Sequence, residues 1–283
     1  MTRPRPGQDR GQGRSLRKAR YLPRLLALIV LTLVAVALSM LIGTRFIAPD
    51  TVWGVLTGNR PEGIESSIID ARGTRTIWGL LIGATLGLAG AGMQGITRNP
   101  LGDPGILGVN SGAAFAVVTG ITFLGVKSTT EYSVLAFVGA AAASALVYAF
   151  ASIGKDGATP VKLALMGAAL SAGLGSLTSA LILTRQNALD DLRRWQVGPI
   201  AGKDLENLFP SGILLLVGAL ILFTGSRTIN NLALGDDMAA SLGENVNRRR
   251  FILFIGITLL VGAAVALAGP IAFLGLMAPH AMR

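Results

Sequence analysis

Cysteine is absent from the 283 residues, and histidine occurs once, at His280. Disulfides, thiolate nucleophiles, cysteine-ligated zinc or iron–sulfur centres and histidine-built metal sites are thereby excluded. Charge is scarce as well: Asp, Glu, Lys and Arg make up 14% of the chain, against about 25% in a typical soluble domain. Catalytic motifs are missing. Gly154-Lys155 and Gly202-Lys203 are each followed by Asp, so no G-x-x-x-x-G-K-[ST] phosphate loop exists, and neither H-E-x-x-H nor G-x-S-x-G occurs. The sequence points to no catalytic residue, no metal ligand and no cofactor.

What is present is apolar. Hydrophobic residues reach 51% and the mean hydropathy is +0.60. A soluble chain of this size could not hide that much apolar surface with so little charge, so composition predicts a polytopic membrane protein. Glycine numbers 37, nearly twice the usual share of about 7%, which suits close helix packing in lipid. Uncharged runs cover Leu25–Gly43, Thr76–Thr97, Pro104–Val126, Tyr132–Ile153, Leu163–Thr184, Leu208–Ser226 and Phe251–His280. The first has 19 residues, close to the ~20 needed to cross a bilayer and too long for a signal-peptide core. The last is broken at Gly269-Pro270, which predicts a full span to Ala268 and then a new helix with Pro270 in its first turn. The expected fold is an all-α helical bundle of seven full spans plus the start of an eighth. It forms one membrane domain over 25–283 behind a basic, unstructured tail over 1–24.

Net charge is +10, and its placement explains it. With a cytosolic N-terminus, the segments on that side hold 16 Lys/Arg and 6 acids, while the opposite side holds 9 of each. The whole excess lies on one side, as the positive-inside rule requires. Nucleic-acid binding is not needed to account for it, and the tail can touch anionic lipid. No acid lies within an uncharged run, which argues against a proton relay. Uphill transport would then draw its energy from another chain.

Five segments carry further information. In the second span, Gly79, Gly83, Gly87, Ala91 and Gly95 recur every four residues and form a small-residue stripe. The fifth span repeats this with Gly167, Ser171, Gly175 and Ser179, and adds Ser176 and Thr178. Plain packing and a hydroxyl-lined path both fit these positions. Asn99 to Gly105 is a Pro/Gly break between two spans, either a tight turn or broken backbone lining water. Arg72 and Arg75 stand at the outer start of the second span, where both the helix dipole and the topology rule disfavour cations. They read as a dock for an acidic partner, or as pairing with Asp70 and interfacial snorkelling. The segment 227–250 carries an apolar stripe of Leu232, Leu234, Met238 and Leu242, with Gly235 and Gly243 as helix stops and Asp236 and Asp237 at a helix start. Such short helices outside the bilayer need a partner or a lipid surface; a solvated loop ending in the basic stop Arg248–Arg250 is the alternative.

Three blocks resemble the iron–siderophore and cobalamin ABC importer permeases. The first runs from Arg72 and Arg75 through Gly90-Ala91-Gly92-Met93-Gln94 and Arg98-Asn99-Pro100-Leu101 to Pro104-Gly105 and Leu107-Gly108. The second is Leu232-Ala233-Leu234-Gly235 through Ala240, Leu242-Gly243 and Arg250, and the third is Gly269 to Leu276 with Pro279, His280 and Arg283. Thr74 stands where the family often has Pro, and Gly198-Pro199 where it tends to show Gly-Ser, which leaves the outer segment before the sixth span open. The resemblance implies the type II ABC importer permease bundle of ten spans, two of which would follow Arg283. It implies a dimer with a second permease subunit, identical or related, two cytosolic ATPase subunits and an extracytoplasmic substrate-binding protein, in a bacterial cytoplasmic membrane. Arg72 and Arg75 would meet acids of the binding protein, and Asn99 and Leu101 would sit near the cytosolic mouth of the pathway. Leu234, Gly235, Ala240, Leu242 and Gly243 would dock in the ATPase, and His280 would be structural. The expected cargo is an intact metal chelate, a ferric siderophore ahead of haem or cobalamin. A secondary transporter or channel without an ATPase, and a truncated fragment, are the alternative readings.

Overall fold

The computed structural model describes residues 9–60, 63–154, 157–184, 186–198, 200 and 208–282, with the backbone alone for 9–21, 186–187 and 208–210. Among these residues every regular element is helical. In chain order they are α1 (Asp9–Leu41), α2 (Pro49–Leu56), α3 (Ile64–Thr97), a 3₁₀ turn (Pro104–Leu107), α4 (Val109–Thr119) running into a π segment (Gly120–Leu124), and α5 (Thr129–Ala151). There follow α6 (Pro160–Thr184), α7 (Gln186–Val197), α8 (Leu208–Thr224), α9 (Ser226–Ala233), α10 (Asp236–Ser241), α11 (Val246–Ala268) and α12 (Leu274–Ala281). Five helices are long and apolar enough to cross a membrane: the part of α1 from Leu22, then α3, α5, α6 and α11. A sixth span results if α8 and α9, bent by 50° between them, count as one.

Three expectations change. The run Pro104–Val126 is not one helix, because Asp103 caps a 3₁₀ turn at Pro104 and Gly108 (φ 72°) separates that turn from α4. Pro270 does not open a helix. Gly269 (φ 76°) ends α11, the next residues are not helical, and α12 begins only at Leu274, after Phe273 at φ 65°. The basic segment expected to be unstructured is helical from Asp9; its Arg, Lys, Gln and Leu are good helix formers extending a helix already nucleated. Residues 1–8, the segment 201–207 and Arg283 lie outside the described residues.

The chain divides into two compact units, one up to Thr76 and one over Ile77–Ala281. In the first, Val52 and Val55 of α2 pack on Ile47 and Ile69, flanked by Met40, Leu41 and Ile68. In the second, α11 is the central helix: 72% of its span is buried, with Leu253, Ile257, Leu260 and Ala264 at or below 2% exposure. Helices α5 and α8 cover it, and α4 joins α5 to α6. Helix α5 starts in a capping box, in which Ser128 accepts from the Glu131 amide at 3.2 Å and Glu131 accepts from the Ser128 amide at 3.0 Å. Helix α6 is the opposite of α11, with 6% of its span buried.

The small-residue stripe of α3 is only partly a packing face. A Cβ at Gly79 or Gly83 would meet nothing within 4 Å, and one at Gly87 would lie 3.5 Å from Ala278 Cβ. The close approach is one position round the helix: a Cβ at Gly90 would overlap the Gly275 carbonyl. In α6, Gly167 meets the Ile106 carbonyl in the same way, while Gly173 and Gly175 face open space. Backbones that touch have no room for a side chain.

Gly90→Leu should therefore lower the stability of the purified protein by at least the ~1–3 kcal/mol typical of overpacking. Gly83→Leu, on the open face, should stay within the ~0.5 kcal/mol of a neutral surface change. Thermal unfolding in detergent measures both, and equal losses would remove the distinction between the two faces.

Candidate functional site

Helix α8 ends at Thr224, the chain bends, and α9 and α10 follow as two short helices before α11. Their apolar stripe splits in two. Leu232 is fully buried and Ala239 likewise, whereas Leu234, Met238 and Leu242 are 65%, 52% and 56% exposed. Ala240 is exposed beside them. Gly235 (φ 117°) and Gly243 (φ 86°) follow the ends of α9 and α10 at positive φ. Asp236 and Asp237 lie in the first turn of α10, where the helix dipole favours acids. Glu244 organises the far end: its Oε1 accepts from Thr228 Oγ1 at 3.1 Å and Asn231 Nδ2 at 3.3 Å, and its Oε2 lies 3.0 Å from Arg249 Nε. The result is a firm base presenting an apolar knob.

This base is tied to the rest of its unit by three residues whose part the sequence did not reveal. Arg98 Nε donates to the Leu232 carbonyl at 2.6 Å, and its Nη2 donates to Asp236 Oδ1. Arg250 Nη2 donates to both Asp236 oxygens, at 2.9 and 3.1 Å, and its Nη1 reaches the Ala158 carbonyl at 3.3 Å. Arg250 is 1% exposed. Burial first, and then the Arg250 charge, push the Arg98 guanidinium below its ordinary value, against the pull of Asp237; it remains a cation at any physiological pH. Arg98 also sits at φ 50°, a left-handed helix stop that costs a non-glycine residue on the order of 1 kcal/mol. The available signal was a single basic residue directly before Asn-Pro at a helix end.

Immediately beyond Arg98, Asn99 makes the turn that ends α3. Its Oδ1 accepts from the Leu101 amide and its carbonyl from the Gly102 amide, both at 2.9 Å. Leu101 is left 67% exposed. On α6 the hydroxyls divide. Ser176 and Ser179 are exposed, Ser171 is half-buried, and Thr178 is buried on the packed side, away from any open face. Ser176, Thr178 and Ser179 each donate to a carbonyl one turn back, at 2.8–3.0 Å. Each oxygen therefore keeps acceptor capacity.

In the first unit, Arg72 and Arg75 have found carbonyls rather than a carboxylate. Arg72 is 6% exposed and donates to the Met40 carbonyl at 2.7 Å and to the Arg45 carbonyl. Arg75 is exposed; its Nη2 lies 3.2 Å from Ser39 Oγ. Both arginines serve the C-terminal end of α1, where cations are favoured. Asp70 pairs with Arg60 instead, at 3.2 Å. Arg75 is thus the exposed member of the pair.

The FecCD transport family profile matches residues 31–283. The chain is 43% identical to the ferric enterobactin transport system permease protein of Escherichia coli (strain K12) over 256 residues, 90% of this chain and 77% of that one. It is 36% identical to the cobalamin import system permease protein of Halobacterium salinarum over 227 residues, 79% of this chain and 60% of that one. Among solved structures, a metal-chelate type ABC transporter in an inward-facing conformation superposes with a TM-score of 0.73 at 28% identity, over 92% of this chain and 79% of that one.

The split of the apolar stripe has a direct test. Leu232→Asp should unfold the α9–α10 base, at roughly the 2–5 kcal/mol of a lost buried leucine or more. Met238→Asp and Leu242→Asp should leave the melting temperature of the purified protein unchanged, and a comparable loss in all three would show the knob to be covered.

Proposed function

The chain belongs to the FecCD transport family, and on that premise we propose that it is the membrane-spanning permease subunit of an ATP-driven importer whose cargo is a ferric siderophore. ATP hydrolysis resides on separate ATPase chains, and an extracytoplasmic binding protein delivers the cargo to a pair of permease subunits. The N-terminus faces the cytosol, which places the basic excess inside. With no cysteine and a single histidine, the chain offers no ligand set for a bare metal ion, so the chelate passes intact. Identity to the enterobactin permease above that to the cobalamin permease, 43% against 36%, supports the siderophore.

The observation that carries this reading is the exposed knob of Leu234, Met238 and Leu242 on a braced pair of short helices. Helices this short are marginal alone, below the ~12–15 residues needed in water, and three large apolar side chains held clear of the core form a surface for another protein. The ATPase grips this knob, with Gly235 and Gly243 setting the helix ends. The cargo moves along the open face of α6, past Ser171, Ser176 and Ser179, towards Asn99 and Leu101 at the inner mouth. On the outer side Arg75 meets an acid of the binding protein, and Arg72 holds the end of α1 beneath it.

Proteoliposomes carrying the permease, with the ATPase inside and the binding protein outside, should accumulate the ferric chelate only with ATP. Leu242→Asp together with Met238→Asp should abolish ATPase co-purification and uptake. Uptake that persists without the ATPase would make the chain a secondary transporter or channel.

Arg75→Glu should weaken stimulation by the binding protein several-fold, mainly through slower association, and reduce its salt dependence. Arg72→Glu should instead lower stability, since it removes two hydrogen bonds and buries a new charge. Stimulation unchanged in Arg75→Glu would remove the docking role.

A further inference from the structure

Asp236 accepts from two arginines that belong to different helices, and each arginine also holds a backbone carbonyl of a further segment. Arg98 joins the end of α3 to the last turn of α9, through Leu232, and to the first residue of α10. Arg250 joins α11 to the same carboxylate and to Ala158, two residues before α6 begins at Pro160. Asp236 and its two arginines thus link the end of α3, α9, α10, α11 and the segment before α6. Beside it, a Cβ at Gly95 would overlap Ile229 Cγ2, so α3 and α9 are also in direct contact.

We propose that Asp236 is the pin through which movement of the α9–α10 base reaches the transport helices, with Arg98 and Arg250 as positioning residues. The proposal rests on the reading that the ATPase grips this base. Arg250 is buried and cannot turn to water if its partner leaves, and Arg98 adjoins Asn99 and Leu101. A displacement of α10 consequently drags the α3 break, α11 and the entry to α6 together. The left-handed backbone of Arg98 supports this role. Glycine would adopt φ 50° without cost, yet the position carries the one side chain able to reach Leu232 and Asp236 at once.

The test uses the assembled importer in proteoliposomes and reads chelate transported per ATP hydrolysed, together with ATPase co-purification and melting temperature. Arg98→Gly keeps the backbone conformation and removes the guanidinium with its bonds to Leu232 and Asp236; the melting temperature reads any loss of stability that follows. It should retain ATPase association and basal hydrolysis while transport per ATP falls about tenfold, within the usual range for energetic coupling between sites. Asp236→Asn should do the same, Asp236→Glu should recover part of the loss, and the Arg98→Gly/Asp236→Asn double variant should be no worse than either single one. A wild-type ratio in both single variants, additive losses in the double variant, or loss of ATPase association in Arg98→Gly at unchanged melting temperature would each overturn the pin. Failure of the wild-type permease to retain the ATPase would instead overturn the reading beneath it.

Discussion

A buried backbone carbonyl left without a partner costs about 1–3 kcal/mol, and the breaks in this chain are built around that cost. At several of them a polar side chain from elsewhere in the sequence takes a backbone carbonyl. Arg72 holds Met40 and Arg45 at the end of α1. Gln94 donates to Leu276 at 3.2 Å and Asn110 to Ile271 at 3.3 Å, serving the segment around the start of α12. Arg98 holds Leu232 at the end of α9, and Arg250 holds Ala158 ahead of α6. A chain with so little charge has assigned Arg72, Arg98 and Arg250 to its own backbone.

That assignment changes how an isolated cation in such a sequence is to be read. Two rules opposed Arg72 and Arg75 at the start of a span, and a partner protein was the natural explanation. The nearer one is geometric. Residues 72 and 75 lie on α3, which begins at Ile64, more than two turns before Arg72, so the helix dipole scarcely opposes them, while the carbonyls they meet lie where α1 stops. Of the two, Arg75 is the one left exposed. The same logic separates Asp236 from Asp237: the dipole accounts for both, but only Asp236 faces two guanidinium groups.

The helical class and the stops at Gly235 and Gly243 were legible because each depends on local chemistry, on apolar length or on a positive φ, whereas the uncharged runs misplaced several helix boundaries. The small-residue stripe was half legible. Four-residue spacing shows which residues share a face, but not which face meets a backbone, so Gly90 was passed over while Gly83 was included. The Arg98–Asp236–Arg250 arrangement was not legible at all. Its members are separated by 138 and 14 positions, and nothing local distinguishes Arg250 from Arg248 or Arg249 in a run of three arginines.

The two least alike helices, α11 and α6, set the mechanical character of the bundle. A helix buried along its length cannot shift without repacking several neighbours, because interiors are close-packed and resist continuous deformation. A helix buried only at Leu163, Gly167 and Thr178 meets no such resistance over most of its surface. If the α9–α10 base is gripped as proposed, force applied there would reach the densely packed α11 and, through the Ala158 corner, the foot of the sparsely packed α6. Motion is expected where the resistance is least, which is the helix whose open face carries the serines.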